Sequence, residues 1–250
     1  MRIVEGRRFG ICDRLTFYPN AEETLALVEA LSARSAVRIK QTDVVVEHPA
    51  IVWSGIFRTS CIELSGDEEL LAAMSRSSRQ QVRRVEALGN RVEIRTGGDE
   101  LAAEFRVLYG AFVRAKGHTR PLSARRVSEY LKVSDVWLIS IDDQLVCGRL
   151  ILRDEDVGRV RNLYEANSRF GDGALARLSS SLNRYLDWEA MRYYRDRGFV
   201  TWDWGGIGAR QKGDGKSYKR SMGGEIREER SYVLAGGVGR QAYRVFTRLR

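Results

Sequence analysis

Residues 199–225 read FVTWDWGGIGARQKGDGKSYKRSMGGE, and this is the most informative segment of the sequence for predicting the fold. Four of its first six residues are apolar or aromatic (Phe199, Val200, Trp202 and Trp204), which is typical of a buried β-strand. Glycine lets the backbone adopt positive φ or approach a ligand closely, because it has no Cβ. Two glycine pairs divide the stretch, Gly205-Gly206 and Gly223-Gly224. The pattern therefore predicts a strand whose end opens onto a ligand site, as is common in α/β folds.

Positive charge is concentrated in the loop that follows this strand. The loop contains one acidic residue, Asp214, and five cationic residues: Arg210, Lys212, Lys216, Lys219 and Arg220. The whole chain carries 42 Lys and Arg against 33 Asp and Glu, a formal net charge of +9. Such an excess favours an anionic partner, whether nucleic acid, a phosphorylated ligand or a membrane surface. Charge that serves only solubility explains the same balance.

The composition is that of a globular chain, with 43% hydrophobic and 30% charged residues. No run of ~18 apolar residues is present, so no membrane span is predicted. The N-terminal residues lack the apolar core of a secretory signal. Three scattered cysteines, Cys12, Cys61 and Cys147, predict a reducing cytoplasm. The two histidines lie far apart, so we expect no zinc site.

The first sixty residues predict a short helix and two strands. Residues 21–33 carry an apolar stripe with acidic residues in the first turn, which favours a helix. Residues 37–46 and 51–57 are typical of strands. His48, which precedes a proline between these strands, is interpreted as a turn residue rather than a catalyst.

A long helix is predicted after residue 65, where Ser65 and Glu68 have the spacing of a capping box. Apolar residues then recur at helical spacing up to a stop at Gly89. The opposite face carries Arg76, Arg79, Arg83 and Arg84. These arginines form either a surface for nucleic acid or phosphate, or an ordinary solvated face.

The rest of the chain alternates helices and strands. Helices are predicted over residues 99–116, from Ser123 onward, over 174–197 and over 240–250; strands are predicted over 136–141, 145–152, 159–164 and 232–235. His118, before the second of these helices, is a candidate general base because its unperturbed pKa lies near neutrality. Trp188, Tyr193 and Tyr194 are interpreted as packing residues.

Three segments resemble the Fem-type (FemAB-like) aminoacyltransferases, a family within the wider GNAT acyltransferase fold. Residues 202–206 (WDWGG), 218–219 (YK) and 223–225 (GGE) are similar to the family's (Y/F)DxGG, FK and FGGE motifs. Residues 64–94 and 182–206 resemble the segments that lead into its C-terminal GNAT domain. Tyr218 stands where the family usually has phenylalanine, and Ser221-Met222 is a second departure.

The order of elements and this resemblance together imply an α+β (mixed α/β) fold of GNAT type. Its central sheet would be mixed, mostly antiparallel and flanked by helices. Residues 1–60 would form a truncated N-terminal GNAT-like half-domain, residues 61–235 the acyltransferase domain and residues 236–250 a basic C-terminal helix. The short first part favours an acceptor smaller than the cell-wall precursor.

The resemblance also implies the site residues. Lys219, at the family's FK position, would stabilise the oxyanion or hold the terminal tRNA phosphate, with a surface lysine as the alternative. Asp203 would orient the nucleophilic amine, unless it only fixes the turn. Expected substrate contacts are Arg120, Tyr164, Trp204, Gly205, Gly206, Tyr218, Gly223 and Gly224; expected tRNA contacts are Arg210, Lys212, Lys216 and Arg220.

We expect an aminoacyl-tRNA-dependent enzyme that forms an amide on a peptide or cell-wall-precursor-like amine, without a cofactor. The first alternative is a coenzyme A-dependent GNAT N-acyltransferase. Its pyrophosphate turn would be RFGDGA at residues 169–174, whose spacing and Asp172 fit an anion poorly. The second alternative is a noncatalytic RNA-binding module that uses the arginine face of residues 76–84 and the C-terminal arginines.

Overall fold

The computed structural model describes residues 2–8, 11–117, 121–168, 173–207, 214–238 and 240–241. It divides into two compact units: residues 1–59 with 227–250, and residues 60–226. The chain passes from one unit to the other between residues 59 and 60, next to the predicted boundary at residue 60, and again between residues 226 and 227. The second boundary assigns most of the last strand, with the C-terminal segment, to the same unit as the N-terminal residues.

The described residues contain these strands and helices. The strands are β1 (Arg2–Arg8), β2 (Ile11–Phe17), β3 (Ser35–Thr42), β4 (Ile51–Glu63), β5 (Val92–Gly97), β6 (Ser134–Ile141), β7 (Gln144–Asp154), β8 (Arg159–Asn167), β9 (Thr201–Gly206) and β10 (Glu225–Ala235). The helices are α1 (Ala21–Glu29), α2 (Asp67–Ala73), α3 (Arg76–Glu86), α4 (Asp99–Ala115), α5 (Ala124–Leu131), α6 (Ala174–Arg195) and α7 (Asp214–Ser221).

The unit with the N-terminal residues contains a small mixed sheet with the strand order β1-β2-β3-β10, together with residues 51–59 of β4. β1 pairs antiparallel with β2, β2 pairs parallel with β3, and β3 pairs antiparallel with β10. The parallel step requires a crossover, which α1 supplies. Asn20 caps α1 by accepting a hydrogen bond from the Glu23 amide at 2.9 Å. The helix ends at Glu29, four residues earlier than predicted.

The unit of residues 60–226 confirms the predicted mixed, mostly antiparallel sheet. Its sheet contains residues 60–63 of β4 and then, in order, β9-β8-β7-β6-β5, with antiparallel pairing from β5 to β8 and parallel pairing of β8 with β9. On one face, α6 packs through Leu182, Leu186 and Ala190 in the main core cluster. On the other face, α4 packs Phe112 and Val113 against Ala166. The sheet is thus flanked by helices on both faces.

The helix predicted after residue 65 differs from the observed structure. The capping box was wrong: Gly66 is the N-cap residue of α2, and no side chain caps this end. The single helix is also wrong, because Met74 and Ser75 adopt extended backbone and separate α2 from α3. The Ser75 amide donates to the Ser221 carbonyl at 2.8 Å, and the Ser75 side chain accepts from the Ser78 amide at 3.2 Å. Both bonds hold the break in place.

The arginine face of α3 has a partly structural role. The Arg79 guanidinium donates from Nη1 to the carbonyls of Leu71 and Met74, at 3.1 and 2.5 Å. It thereby supplements the bond that the Leu71 carbonyl accepts from the Met74 amide, and it satisfies the carbonyl of Met74 at the C-cap of α2. The other three arginines of this face, Arg76, Arg83 and Arg84, are exposed.

The predicted strands and the long helices are otherwise confirmed with small shifts of their ends. The cationic segment predicted as a loop is instead helical over Asp214–Ser221, which is α7. The helix predicted over 99–116 is α4, and the helix predicted over 174–197 is α6, which ends at Arg195. The final strand is longer than predicted, since β10 spans Glu225–Ala235. The helix predicted over 240–250 lies almost wholly outside the described residues. No helix among the described residues is long and apolar enough to cross a membrane.

Gly223 is a position where the fold requires glycine. Its φ is +87°, and a Cβ there would lie 2.8 Å from the Ala73 Cβ and 2.9 Å from Ile62 Cδ1. Gly198 has φ +86° but no atom within 4 Å of a built Cβ. We expect Gly198→Ala to cost about 1 kcal/mol of unfolding free energy, and Gly223→Ala at least about 2 kcal/mol more, because it adds steric overlap to backbone strain. Urea denaturation of both variants measures the difference; equal losses would contradict the packing explanation.

Candidate functional site

A polar cavity of about 330 Å³ lies at the end of β8 where the sheet of the second unit opens. The parallel pairing of β8 and β9 joins Arg159–Arg161 to Thr201–Asp203, and β8 continues beyond it to Asn167. The cavity is lined by residues from β8, α6, α7 and the end of α4: Lys116, Glu165, Asn167, Ser179, Ser180, Asn183, Arg184, Ser217, Tyr218 and Lys219. Two predicted site residues, Tyr218 and Lys219, therefore lie in its wall.

Lys219 reaches from α7 to the end of β9. Its ammonium donates to the carbonyl oxygens of Gly205 and Gly206, at 2.9 and 2.7 Å. Burial lowers the pKa of Lys219, and the negative charges of Glu165 and Asp203 oppose that effect. Two of its three N–H groups are thus used, and no described residue accepts the third. The arrangement holds a cation at the cavity wall with one donor available to a ligand.

Asp203 is fully buried and fixes the turn after β9. One carboxylate oxygen accepts from the Gly205 amide at 2.7 Å, and the other accepts from Arg159 Nη2 at 2.8 Å. Arg161 Nη1 lies 3.8 Å from the same carboxylate. Gly205 has φ +78°, a conformation that favours glycine. Asp203 therefore orients the carbonyl groups that hold Lys219, and it is not among the residues that line the cavity.

A fully buried ion pair anchors the wall of the cavity. Arg149 of β7 donates to both carboxylate oxygens of Asp187 on α6, at 2.8 and 2.9 Å, and to Asn183 Oδ1 at 2.8 Å. Burial opposes the charged form, but Asp187 and Glu165 raise the pKa of Arg149, so it stays protonated. The Tyr218 hydroxyl donates to Asp187, and burial together with Asp187 raises the pKa of Tyr218 well above its ordinary value.

This network joins three elements of the site. Tyr218 precedes Lys219 on α7, so its hydroxyl bond to Asp187 places the lysine relative to α6 and β7. The sequence motif that this segment resembles usually has phenylalanine at this position. In this chain the hydroxyl of tyrosine is accommodated because it donates a hydrogen bond to Asp187. The side chain also packs edge-on against Trp204, with the ring centroids 6.0 Å apart.

Cations predominate in the cavity wall. Arg184 donates to Ser180 Oγ at 2.7 Å and to Ser78 Oγ at 3.2 Å, and its guanidinium lies 4.8 Å from the Tyr218 ring centroid. Lys116 and Lys219 are the other two cations, whereas Glu165 is the one acidic residue among the described lining residues. An anionic or electron-rich ligand is therefore favoured in the cavity.

The structure places the remaining predicted residues as follows. Tyr164 packs against Tyr109 and Tyr130, with centroid distances of 5.5 and 5.7 Å, and does not line the cavity. Trp204 is buried in the core beside Gly224. Arg220 is exposed on α7. Arg120, His118, Arg210, Lys212, the Lys216 side chain and residues 169–172 of the RFGDGA turn lie outside what the structure describes.

Of the residues that line the cavity, the sequence analysis predicted only Tyr218 and Lys219. The missed residues that carry most of the geometry are Arg149, Glu165, Asn183 and Asp187. Arg149 interrupts the apolar run LVCGRLIL, and a charged residue inside such a run indicates a buried partner. Asn183 and Asp187 are four residues apart, hence on one face of α6, among its core leucines. Glu165 follows Tyr164 in a strand, so it points to the opposite face of the sheet. Each of these features can be seen in the sequence, but none of them identifies the residue with which the side chain interacts.

Comparison with known proteins shows similarity at the level of fold. FemX covers 97% of this chain and 85% of its own length, with a TM-score of 0.67 and 13% identity. The C-terminal domain (DUF2156) assigned to a lysylphosphatidylglycerol synthetase from Agrobacterium fabrum covers 99% and 85%, with a TM-score of 0.59 and 12% identity. L-PGS from Bacillus licheniformis covers 99% and 85%, with a TM-score of 0.57 and 11% identity. No protein-family model and no curated protein matches the chain.

The Tyr218 hydroxyl gives a test of the buried network. Tyr218→Phe removes one hydrogen bond to a buried carboxylate, so we expect a loss of about 1.5–3 kcal/mol in unfolding free energy. Tyr193→Phe is the matched control, because the Tyr193 ring also packs on aromatic neighbours and its hydroxyl makes no hydrogen bond to a described residue. We expect its cost to stay below about 0.5 kcal/mol. Equal urea midpoints for the two variants would refute the role given to the hydroxyl.

Proposed function

We propose that this chain is an aminoacyltransferase that moves an amino acid from aminoacyl-tRNA to the amine of a peptide or cell-wall-precursor-like acceptor and forms an amide bond. The observation that carries the proposal is the Lys219 ammonium, which two glycine carbonyls hold at the wall of a polar cavity with one N–H available. The likeness in fold to FemX and to a lysylphosphatidylglycerol synthetase domain supports the same class of reaction.

The reaction needs alignment and charge stabilisation more than a covalent intermediate. The acceptor amine attacks the ester carbonyl carbon of the aminoacyl group, and negative charge develops on the carbonyl oxygen. A fixed cation next to that oxygen stabilises the tetrahedral intermediate, and it does so most strongly where water is excluded. Lys219 is partly buried and already oriented, so it supplies this stabilisation without reorganisation.

The remaining cations of the site suit a tRNA donor. Arg184 and Lys116 stand in the cavity wall, and Arg220 is exposed on the same helix as Lys219. We assign the phosphates of the tRNA end to this group, together with Arg210, Lys212 and Lys216 from the sequence, and we keep Arg120 as a proposed substrate contact. Because aminoacyl-tRNA is a cytoplasmic substrate, the proposed location is the cytoplasm. The cavity volume of about 330 Å³ favours an acceptor smaller than the cell-wall precursor, such as an intermediate of specialised peptide or antibiotic biosynthesis.

Binding separates this proposal from its two alternatives. We expect the purified chain to bind charged tRNA more tightly than uncharged tRNA at one stated salt concentration, because the aminoacyl ester occupies the cavity beside Lys219. Fluorescence anisotropy with both tRNAs and acetyl coenzyme A measures the three affinities side by side. Binding of acetyl coenzyme A alone would favour the coenzyme A-dependent N-acyltransferase. Equal, steeply salt-dependent binding of both tRNAs with no product would favour the RNA-binding module.

Removal of the Lys219 charge tests the catalytic assignment. We expect Lys219→Met to lower the rate of aminoacyl transfer by about 10²–10³-fold, the usual loss when one oxyanion donor is removed. Lys132→Met, at an exposed lysine that follows α5 and lies outside the cavity, is the control and retains the wild-type rate. Far-UV circular dichroism checks that both variants are folded. A fully active, folded Lys219→Met protein would exclude the role proposed for Lys219.

The proton on Lys219 gives a pH dependence. The ammonium form is the one that stabilises an oxyanion, so transfer falls as pH rises through the pKa of this group. Burial lowers that pKa, hence we expect the fall to begin below the pH at which an exposed lysine loses its proton. A pH profile of single-turnover transfer measures it. An alkaline limb that is identical in Lys219→Met would show that another group is responsible.

A further inference from the structure

We propose that Glu165 receives the ammonium group of the acceptor and takes its proton, so that the amine attacks between Glu165 and Lys219. This inference rests on the proposed aminoacyl transfer and assigns the base that the reaction needs. An amine is protonated at neutral pH and becomes nucleophilic only after it loses a proton. The cavity must therefore offer a group that accepts one.

The position of Glu165 follows from the register of the sheet. Glu165 of β8 lies opposite Arg149 of β7, so the two side chains share the face that α6 covers. Arg149 donates to Asp187 and to Asn183. Glu165 itself makes no hydrogen bond or ion pair with any described residue, although it lines the cavity. Its carboxylate is exposed and open to a ligand.

The opposite charges of Glu165 and Lys219 can bind an amine and an ester carbonyl side by side in the cavity. Lys219 and Glu165 line the same cavity, and the negative charge of Glu165 counters the effect of burial on the Lys219 pKa. A carboxylate attracts the incoming ammonium, while the lysine attracts the carbonyl oxygen. The negative charge of Glu165 thus positions the amine nitrogen, and the positive charge of Lys219 positions the ester carbonyl. Addition of the amine requires this alignment of the two groups.

Other candidate bases are already occupied. Asp187 is fully buried and accepts from Arg149 and Tyr218, and Asp203 is fully buried and accepts from Gly205 and Arg159. The Tyr218 hydroxyl donates its proton to Asp187. Among the described residues that line the cavity, Glu165 is the one carboxylate.

The proposed step balances as follows. The acceptor ammonium passes one proton to the Glu165 carboxylate, and the free amine forms a C–N bond to the ester carbon. The amine nitrogen of the tetrahedral intermediate releases its second proton to solvent as the C–O bond to the terminal ribose breaks, so the whole reaction sets one proton free. The protonated Glu165 gives its proton to the departing ribose oxygen, and the enzyme returns to its starting charge. No oxidant, reductant or further reactant is needed.

Two nucleophiles of different basicity test the inference. Glycinamide is largely protonated near neutral pH and needs a base, whereas hydroxylamine is largely unprotonated and does not. We expect Glu165→Gln to lower the enzymatic rate of transfer from aminoacyl-tRNA to glycinamide by about 10²-fold or more, the usual contribution of a general base, and to lower transfer to hydroxylamine only a few-fold. Rates without protein are subtracted. Glu93→Gln, at an exposed glutamate of β5, is the matched control and leaves both rates unchanged.

A second variant adds a readout that a purely structural role would not move. We expect added formate to restore part of the glycinamide rate in Glu165→Ala, because the shortened side chain leaves room for a small carboxylate in the open cavity. An equal loss with both nucleophiles and no rescue by formate would overturn the assignment of Glu165 as a base while leaving the transferase proposal in place. Absence of catalysed transfer by the wild-type chain to either nucleophile would instead refute the transferase proposal, and the role of Glu165 with it.

Discussion

The ion pair between Arg149 and Asp187 is the constraint on which the site of this protein depends. Neither side chain is exposed to water, and burial of an unpaired ion costs several kcal/mol. The two charged side chains can therefore be buried in the core only as a pair, which here is a bidentate salt bridge. That contact fixes α6 against β7, and Tyr218 extends the network to α7 through its hydroxyl. The lysine of the site follows Tyr218 directly, so its position derives from the buried pair.

The cavity combines a fixed cation with an accessible carboxylate. Lys219 is held by backbone carbonyls, which are part of a turn that Asp203 and Gly205 stabilise. Partial burial strengthens its interaction with a developing charge, because the effective dielectric constant is lower than in water. Glu165 has no such restraint and remains in contact with solvent. One group is thus suited to stabilise charge, and the other to exchange protons with a substrate.

Much of the fold could be predicted because helices and strands have local signatures. α4 and α6 were found from apolar residues at helical spacing, and β6, β7 and β8 from apolar segments separated by acidic turns. The division between α2 and α3 was missed because the apolar spacing continues across Ser75. The break depends on a hydrogen bond from the Ser75 amide to Ser221 and on Arg79, which caps α2. A bond to a residue so distant in the chain leaves no mark in a local pattern.

The types of most elements and the glycine turns at residues 205 and 223 could be predicted from the sequence, and the resemblance to the FK motif of the Fem-type family made Lys219 a candidate for the site. The element types and the glycine turns depend on backbone preferences and on periodicity within a few residues. Only the tertiary structure decided that Arg149 pairs with Asp187, 38 positions away, and that Glu165 lines the same cavity as Lys219. The physical reason is that the partner of a buried charge is selected by the packing of a helix on a sheet. That packing brings together residues whose separation in the chain carries no information about their contact.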